Sequence, residues 1–296
     1  MTDHPQPLDA VMDERRQLLN VAYRLLGSLV EAEDAVQETY ARWYALAPSE
    51  REAVDNPAAW LTKVASRICL DQLRSARVRR ERYVGEWVPE PLPDDTEAVA
   101  DPADRVTLDE SVNMAFLVVL ESMTPAERVA FILHDVFRHP FAEVADIVGR
   151  SQAASRQLAS SARRRLRSSR VSATPAPHQA DLVRQFKRAW ETKDVGALIR
   201  LLDPDATAIA DGGGVAAAAL LPTHGPERIA GLLLEVAGRR PDLELVERTV
   251  NGQPGLVVLD NGVTVTVMAF HVDGDRIKHI WSIRNPDKLH PWKGTS

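Results

Sequence analysis

The segment 150–170 concentrates side chains that can hold a nucleic acid. It contains seven basic and no acidic residues, and Ser151 could cap a helix that follows a turn at Gly149. Arginine and glutamine contact base edges in the major groove, while serine and arginine also contact phosphates. Helical spacing predicts an outward face made of Arg156, Gln157, Ser160, Arg163 and Arg164 and an inward face made of Ala154, Leu158 and Ala162.

The apolar run 141–148 precedes this segment, so together they predict a helix-turn-helix. Any two helices joined by a glycine turn would give the same outline. The sequence alone therefore leaves both interpretations open.

A second cationic block extends from Lys63 to Arg82, with seven basic and two acidic residues. Residues 86–110 hold nine acidic residues and one basic, so the net charge of −6 hides two basic modules separated by an acidic connector. Two solvated helix faces and a linker would give the same charge pattern. We expect contacts to DNA from Lys63, Arg67, Arg74, Arg77, Arg79 and Arg80.

Apolar periodicity divides the chain into two helical modules and a later β-rich part. Apolar residues recur at three-to-four-residue spacing through 13–80, and Thr124-Pro125-Ala126-Glu127 has the form of a capped helix start. Proline-containing segments read as linkers. The expected domains are 10–83, a linker at 84–106, a second helical module at 107–170, a linker at 171–177, and a C-terminal domain at 178–296.

The C-terminal segment predicts an α+β domain. Two helices near 179–202 precede runs rich in Val, Ile and Thr, which Asn-Gly and Asp-Gly turns separate into strands at 243–250, 255–259, 263–272 and 276–283. Helices followed by an antiparallel meander favour helices on one face of a curved sheet. The expected fold class is therefore multidomain, with two all-α modules followed by an α+β domain.

Composition excludes several function classes. The lone Cys69 cannot form an internal disulfide, which fits a reducing cytoplasm, and a cysteine-rich zinc site is excluded. The N-terminal residues lack a signal-peptide core, and no apolar run is long enough to cross a bilayer. We expect a cytoplasmic protein that needs no metal or cofactor and does not act on a membrane.

Three stretches resemble the extracytoplasmic-function group of sigma-70 factors. Asp34–Trp43 (DAVQETYARW) resembles the region 2 segment that docks on RNA polymerase in that family, 59–74 resembles the segment that melts and reads the −10 element, and 124–167 resembles region 4, which reads the −35 element. The resemblance implies transcription initiation without catalysis, with bacterial core RNA polymerase and promoter DNA as partners. It implies polymerase contacts from Asp34, Gln37, Glu38 and Arg42, where an ordinary acidic helix face is the alternative.

The segment 83–91 (YVGEWVPEP) is similar to a linker found in sigma factors with a fused, cone-shaped SnoaL-like domain. The C-terminal motifs of that subgroup are also present, as DGGG at 211–214 and NPDKL at 285–289. The short Pro-containing tether at 173–177 holds the domain beside the sigma modules at high effective concentration, so we expect it to regulate them by intramolecular contact. The alternative is that the tail only caps the domain. We expect the motifs DGGG and NPDKL to be accessible, and a truncation before Asn285 to leave the rest of the domain folded. The candidate regulatory contacts are Asp211, Gly212, Gly213, Gly214, Asn285, Pro286, Asp287, Lys288 and Leu289.

The sequence departs from the family pattern at two positions, and a rival interpretation exists for the C-terminal domain. Arg67 stands where most of the family has Asn, and Ser161 stands where region 4 often has a DNA-facing Arg. In the rival interpretation, residues 178–296 form an enzyme or a ligand sensor. Its general acid and base groups would be Asp205, Asp211, His224 and His271, although their spacing does not require it.

Overall fold

The computed structural model describes residues 8–80, 83–94, 96, 113–169 and 175–293, including their side chains except at 8–13 and 76–80. The described residues form two compact units: 8–79 with 119–169, and 80, 83–94 and 96 with 113–118 and 175–293. Within these ranges no helix combines the length and apolarity needed to cross a membrane.

The first unit is entirely helical. Four helices form its N-terminal part: α1 (Leu8–Leu26), α2 (Leu29–Ala45), α3 (Pro48–Glu52) and α4 (Pro57–Arg80). Its C-terminal part contains α5 (Met114–Glu121), whose first half belongs to the second unit, α6 (Pro125–Phe131) with a π-helical turn at Ile132–Val136, α7 (Phe141–Val148) and α8 (Gln152–Ser168).

Local capping explains where these helices begin. The Thr124 hydroxyl accepts from the backbone N–H of Glu127, whose carboxylate accepts in return from the Thr124 N–H, so the predicted capping box is present. Gly149 has φ of 70° between α7 and α8, which a residue without a side chain adopts at little cost. Ser151 accepts from the N–H of Ala154 and starts α8.

In its described residues, the second unit combines three helices and the first half of α5 with one six-stranded sheet. The helices are α9 (Ala176–Glu191), α10 (Val195–Leu201) and α11 (Pro226–Arg239), and a 3-10 helix spans Pro286–Trp292. The strands are β1 (Leu202–Asp211), β2 (Thr223–His224), β3 (Leu243–Val250), β4 (Gln253–Asp260), β5 (Val263–Asp273) and β6 (Arg276–Ile283). Their order is β2-β1-β6-β5-β4-β3, and β1 pairs with β6 in parallel while the other neighbours are antiparallel.

Both faces of the sheet are covered by apolar side chains. The helix-side core joins Phe186 and Trp190 of α9 to sheet residues such as Phe270, and the Phe186 and Phe270 rings meet edge to face at 5.3 Å. The opposite core, which we call the outer core, contains Trp281, Leu289 and Trp292. The outer core is where the linker and the C-terminal 3-10 helix come together.

The fold class expected from the sequence is confirmed, because two helical modules precede an α+β domain. Four elements were missed: β1, β2, α11 and the 3-10 helix. The prediction of the buried face of α8 was wrong by one residue at two of its three positions. The buried residues are Ser155, Ala159 and Ala162, whereas Ala154 and Leu158 are partly exposed.

Candidate nucleic-acid and polymerase interface

The outward face of α8 carries most of the side chains that were expected to meet DNA. Arg156, Gln157, Ser160 and Arg164 are all exposed, since the buried small residues of α8 lie on its opposite side. A shallow hollow of about 710 Å³ is lined on this face by Arg150, Ala154, Gln157, Leu158, Ser160, Ser161 and Arg164. A cationic hollow of this kind can receive a phosphate backbone and a base edge.

Arg163 does not share that exposure. Its Nε donates to Asp135 at 2.8 Å, and its side chain is only 35% exposed. Ser161 donates to the Glu127 carboxylate at 2.6 Å. Burial raises the pKa of Glu127, but hydrogen bonds from Ser161 and Thr124 outweigh burial and hold it below its ordinary value. These two α8 residues therefore fix the helix on its own module.

The α2 face expected to meet polymerase is exposed as a row. Asp34, Gln37 and Glu38 are accessible, and Arg42 pairs with Glu38 at 2.5 Å one turn later. The underlying residues Ala35, Val36 and Thr39 are buried, so the row lies on a firmly packed helix. Trp43 and Trp60 pack together, with ring centroids 5.1 Å apart. Both indoles are partly buried, which agrees with a packing role for Trp60.

The basic residues of α4 whose side chains are described have partners within the first unit. Arg74 pairs with Asp71 at 2.9 Å. Arg67 Nη2 donates both to the Asp146 carboxylate and to the Asp146 backbone carbonyl, each at 3.0 Å, and Lys63 pairs with the same carboxylate. Asp146 lies in α7, so the two helical modules meet here. The side chains of Arg77, Arg79 and Arg80 lie outside the described residues.

A buried arginine makes a second contact between the two helical modules. Arg128 is 2% exposed, and its guanidinium donates to the carbonyl of Leu25 at the end of α1 at 2.8 Å and to that of Leu120 at 3.0 Å. It also pairs with Glu121 at 2.6 Å. Burial lowers the pKa of Arg128 to about 9, so the group stays charged at neutral pH. Sequence patterns gave no signal for this arginine.

The linker segment Tyr83–Leu92 and the C-terminal domain share one buried polar network, which we call the linker clasp. At its centre, the fully buried Asp211 carboxylate accepts from the Tyr83 hydroxyl at 2.6 Å and from the backbone N–H of Val88 at 3.0 Å. Burial and the hydrogen bond to Asp211 raise the pKa of Tyr83. Asn285 donates to the Tyr83 oxygen at 2.9 Å, so three distant segments meet at one phenol.

Lys288 supplies the positive charge of the clasp. Its ammonium lies 2.7 Å from the Asp211 carboxylate, donates to the Val88 carbonyl, and lies 4.0 Å from the centre of the Trp87 ring. The motifs DGGG and NPDKL were expected to be accessible, and this is wrong at Asp211, Asn285, Lys288 and Leu289, whereas Pro286 and Asp287 are exposed. Asp211 is 0% exposed and Lys288 is 7% exposed, because both are enclosed by the linker.

The end of the described chain also completes the outer core. Leu289 and Trp292 are buried, and the Trp292 indole donates to the Pro91 carbonyl at 2.8 Å. The burial of these side chains argues against the expectation that a truncation before Asn285 leaves the domain folded. Such a truncation would remove two core side chains and leave Asp211 as an uncompensated buried charge.

The four residues considered as a catalytic set have separate partners. Asp211 is held in the clasp, His224 lies 3.3 Å from the Thr207 hydroxyl, and Asp205 is exposed. His271 is buried and stacks on His279 with ring centroids 5.7 Å apart. Within the described residues, no three His, Cys, Asp or Glu side chains could hold a metal ion.

The His271–His279 stack predicts a pH-dependent stability. Burial first, and then the neighbouring His271 and Lys278, lower the pKa of His279 from 6.5 to about 4, against an opposing effect of Asp203. The unfolded chain thus binds more protons than the folded chain between these values, so the free energy of unfolding falls as the pH drops from 6.5 towards 4. Urea unfolding across this range should show a smaller loss for His279→Gln than for the unchanged protein, and equal losses would contradict the assignment.

One helical module presents an exposed polar and charged α2 face, and the other contains a helix-turn-helix. This combination is that of a DNA-binding protein of the transcription machinery. The sigma-70 region 2 model matches residues 10–79, and the sigma-70 region 4 model matches residues 113–166. The ECF RNA polymerase sigma factor SigJ of Mycobacterium tuberculosis is 38% identical over 287 residues, covering 93% of this chain and 90% of SigJ. The probable ECF sigma factor SigI of that organism is 34% identical, covering 98% of this chain and 97% of SigI.

The fold of this chain also agrees with that of SigJ over nearly the whole length of both chains. The crystal structure of SigJ matches with a TM-score of 0.76 at 34% identity, covering 96% of this chain and 99% of the SigJ chain. The chain therefore belongs to the extracytoplasmic-function sigma factors of RNA polymerase, and the resemblance seen in its motifs is confirmed.

Proposed function

We propose that this chain directs core RNA polymerase to promoters through residues on α2, α4 and α8. The observation that carries the proposal is that α2 and α8 each present an exposed row of polar or charged side chains over a buried face. The polymerase contacts are Asp34, Gln37, Glu38 and Arg42, and Arg156, Gln157, Ser160 and Arg164 meet the −35 element. Recognition of this kind needs no bond-making step, so the protein acts without catalysis. It acts in the cytoplasm, where its proposed partners, RNA polymerase and promoter DNA, are found.

In vitro transcription tests this function. Purified chain added to core polymerase should produce transcripts from a subset of promoters in a genomic fragment library. Core polymerase alone is the control. An absence of new start sites, with a chain shown to be folded, would contradict the proposal.

Electrostatic contact between α4 and DNA gives a measurable salt dependence. The double variant Arg67→Gln with Arg74→Gln should flatten the plot of log affinity against log salt by about 0.9 for each phosphate that the protein no longer neutralises. A matched control is Arg184→Gln with Arg188→Gln, since both arginines are exposed on α9 of the C-terminal domain. A slope equal to that of the control would show that α4 does not contact phosphates.

We further propose that the C-terminal domain regulates initiation through the linker clasp. The linker follows α4 directly, so fixing Tyr83–Leu92 on the sheet restrains the chain that joins region 2 to region 4. A weakened clasp should raise transcription. Removal of residues 178–296 should lower it, because Trp87 and Val88 would lose their cover.

The variant Tyr83→Phe tests this regulation with little risk to folding, because it removes only the hydroxyl that joins Asp211 to Asn285. Tyr44→Phe is a matched control, since Tyr44 is 64% exposed and lies in region 2. Equal transcription by Tyr83→Phe, the deletion and the unchanged protein, at matched folded concentrations, would refute a regulatory clasp.

Ligand sensing is a second candidate function for the C-terminal domain. One cleft of about 590 Å³ on the outer sheet face has a mixed lining, which includes the apolar side chains of Val246, Val257, Leu259 and Trp292 and the charged side chain of Arg248. Native mass spectrometry of the purified protein would detect a retained metabolite. The bare protein mass alone would count against this role.

A further inference from the structure

Asp146 forms ion pairs with Lys63 and Arg67, the two α4 residues that we expect to contact −10 DNA. Its carboxylate accepts from Arg67 and pairs with Lys63, and Arg67 also reaches its backbone carbonyl. The hydrogen bond from Lys63 is the main cause of a lowered pKa at Asp146, so the group is ionised at neutral pH. A carboxylate and a phosphate offer the same anionic oxygens to these cations.

The contact cannot persist when both promoter elements are bound. The −10 and −35 elements lie on the order of 85 Å apart on straight DNA, at about 3.4 Å per base pair. Asp146 and Arg156 are ten residues apart in sequence, so even a fully extended chain would separate them by at most about 36 Å. With Asp146 against α4, the α8 surface therefore stays too close to the α4 surface to reach the second element.

Other contacts within the first unit hold the same closed arrangement. Arg128 of α6 donates to the Leu25 carbonyl of α1 at 2.8 Å, and the Arg24 guanidinium lies 5.6 Å from the centre of the Phe137 ring. These two contacts are made by α1 and involve no residue of α4. Asp146 differs from them because it is 52% exposed and can be displaced directly by an incoming phosphate.

We propose that Asp146 is an intramolecular latch that mimics a DNA phosphate, keeping Lys63 and Arg67 covered until promoter DNA displaces it. The inference rests on the proposed function, since it takes these two residues to be DNA contacts. It assigns to the helix-turn-helix a second role, which is to compete with DNA for region 2 in the unbound factor.

The test compares Asp146→Asn with Glu143→Gln in the full chain. Glu143 is a matched control because it lies one turn earlier on α7, is 51% exposed, and contacts His139. Dyes attached at Ser49→Cys and Ser168→Cys report the separation of the modules by energy transfer, since both positions are exposed. The natural Cys69 is fully buried and burial raises its pKa, so it does not compete for the dyes.

The Arg128 and Arg24 contacts remain in the Asp146→Asn variant. We therefore expect this variant to bind a random-sequence duplex roughly two- to fivefold more tightly, the range that one exposed ion pair supports, and to lose energy transfer at a correspondingly lower duplex concentration. Glu143→Gln should match the unchanged protein in both measurements. Tighter DNA binding with no shift in the duplex concentration at which energy transfer is lost would overturn the latch, because simple charge repulsion would then explain the gain. Equal gains in both variants, or no gain in either, would also overturn it.

Failure of the latch can be distinguished from failure of the proposed function. If the unchanged chain does not support promoter-dependent transcription with core polymerase, the proposed function fails. If it supports transcription but Asp146→Asn behaves as the control, only the latch fails.

Discussion

Alanine at both Arg156 and Gln157 should lower initiation from a −35-dependent promoter by at least roughly 30-fold, because each base contact contributes about 1–3 kcal/mol of discrimination. Both side chains are exposed on α8, and the Arg156 guanidinium lies 5.4 Å from the centre of the Phe141 ring, which holds it near the start of the helix. The measurement is in vitro transcription from promoters that differ only in the −35 element.

The matched control for this pair is Arg167→Ala. Arg167 is exposed on the last turn of α8, away from the first turns where recognition helices contact bases. Binding to core polymerase should be equal for all the variants, since α2 is untouched. A double variant that still discriminates between −35 sequences would show that base recognition lies elsewhere.

The second large effect concerns stability. Lys288→Met should lower the free energy of unfolding by about 3–5 kcal/mol, because it leaves the Asp211 carboxylate buried without its counter-charge. Urea unfolding followed by tryptophan fluorescence reports this directly, since Trp87 and Trp292 lie in or beside the clasp.

A double variant separates the effect of the broken charge pair from the effect of poorer packing. Adding Asp211→Asn to Lys288→Met should recover part of the stability, because the uncompensated charge is then gone. The matched control is Lys278→Met, which breaks the partly exposed pair with Asp273 and should cost at most about 1 kcal/mol. Equal costs for the two lysine variants would contradict a special role for the buried pair.

Helix starts and β-hairpins could be predicted because their causes are local. The Thr124 box, the Gly149 turn and the Asn251-Gly252 turn each depend on a few adjacent residues. Strand β1 was missed because Asp203, Pro204 and Asp205 are poor strand residues, and its pairing with β6 compensates only in the folded sheet.

The interactions that matter most for the proposed regulation are not local. Asp211 and Lys288 are 77 residues apart, and Arg67 and Asp146 are 79 residues apart, so no sequence spacing indicates either pair. Motif resemblance singled out the first pair without showing that its charges are buried against the linker. The cationic block at 63–82 predicted that Arg67 contacts DNA, but it gave no sign that Asp146 competes for the same side chain.

The parallel pairing of β1 with β6 has a consequence for synthesis on the ribosome. The sheet cannot close until β6 has emerged, and the clasp also needs the 3-10 helix that follows β6. The roughly 120 residues after region 4 take about 6–24 s to translate at bacterial rates. Each newly made molecule therefore passes through a period in which its sigma modules have emerged while the clasp does not yet exist.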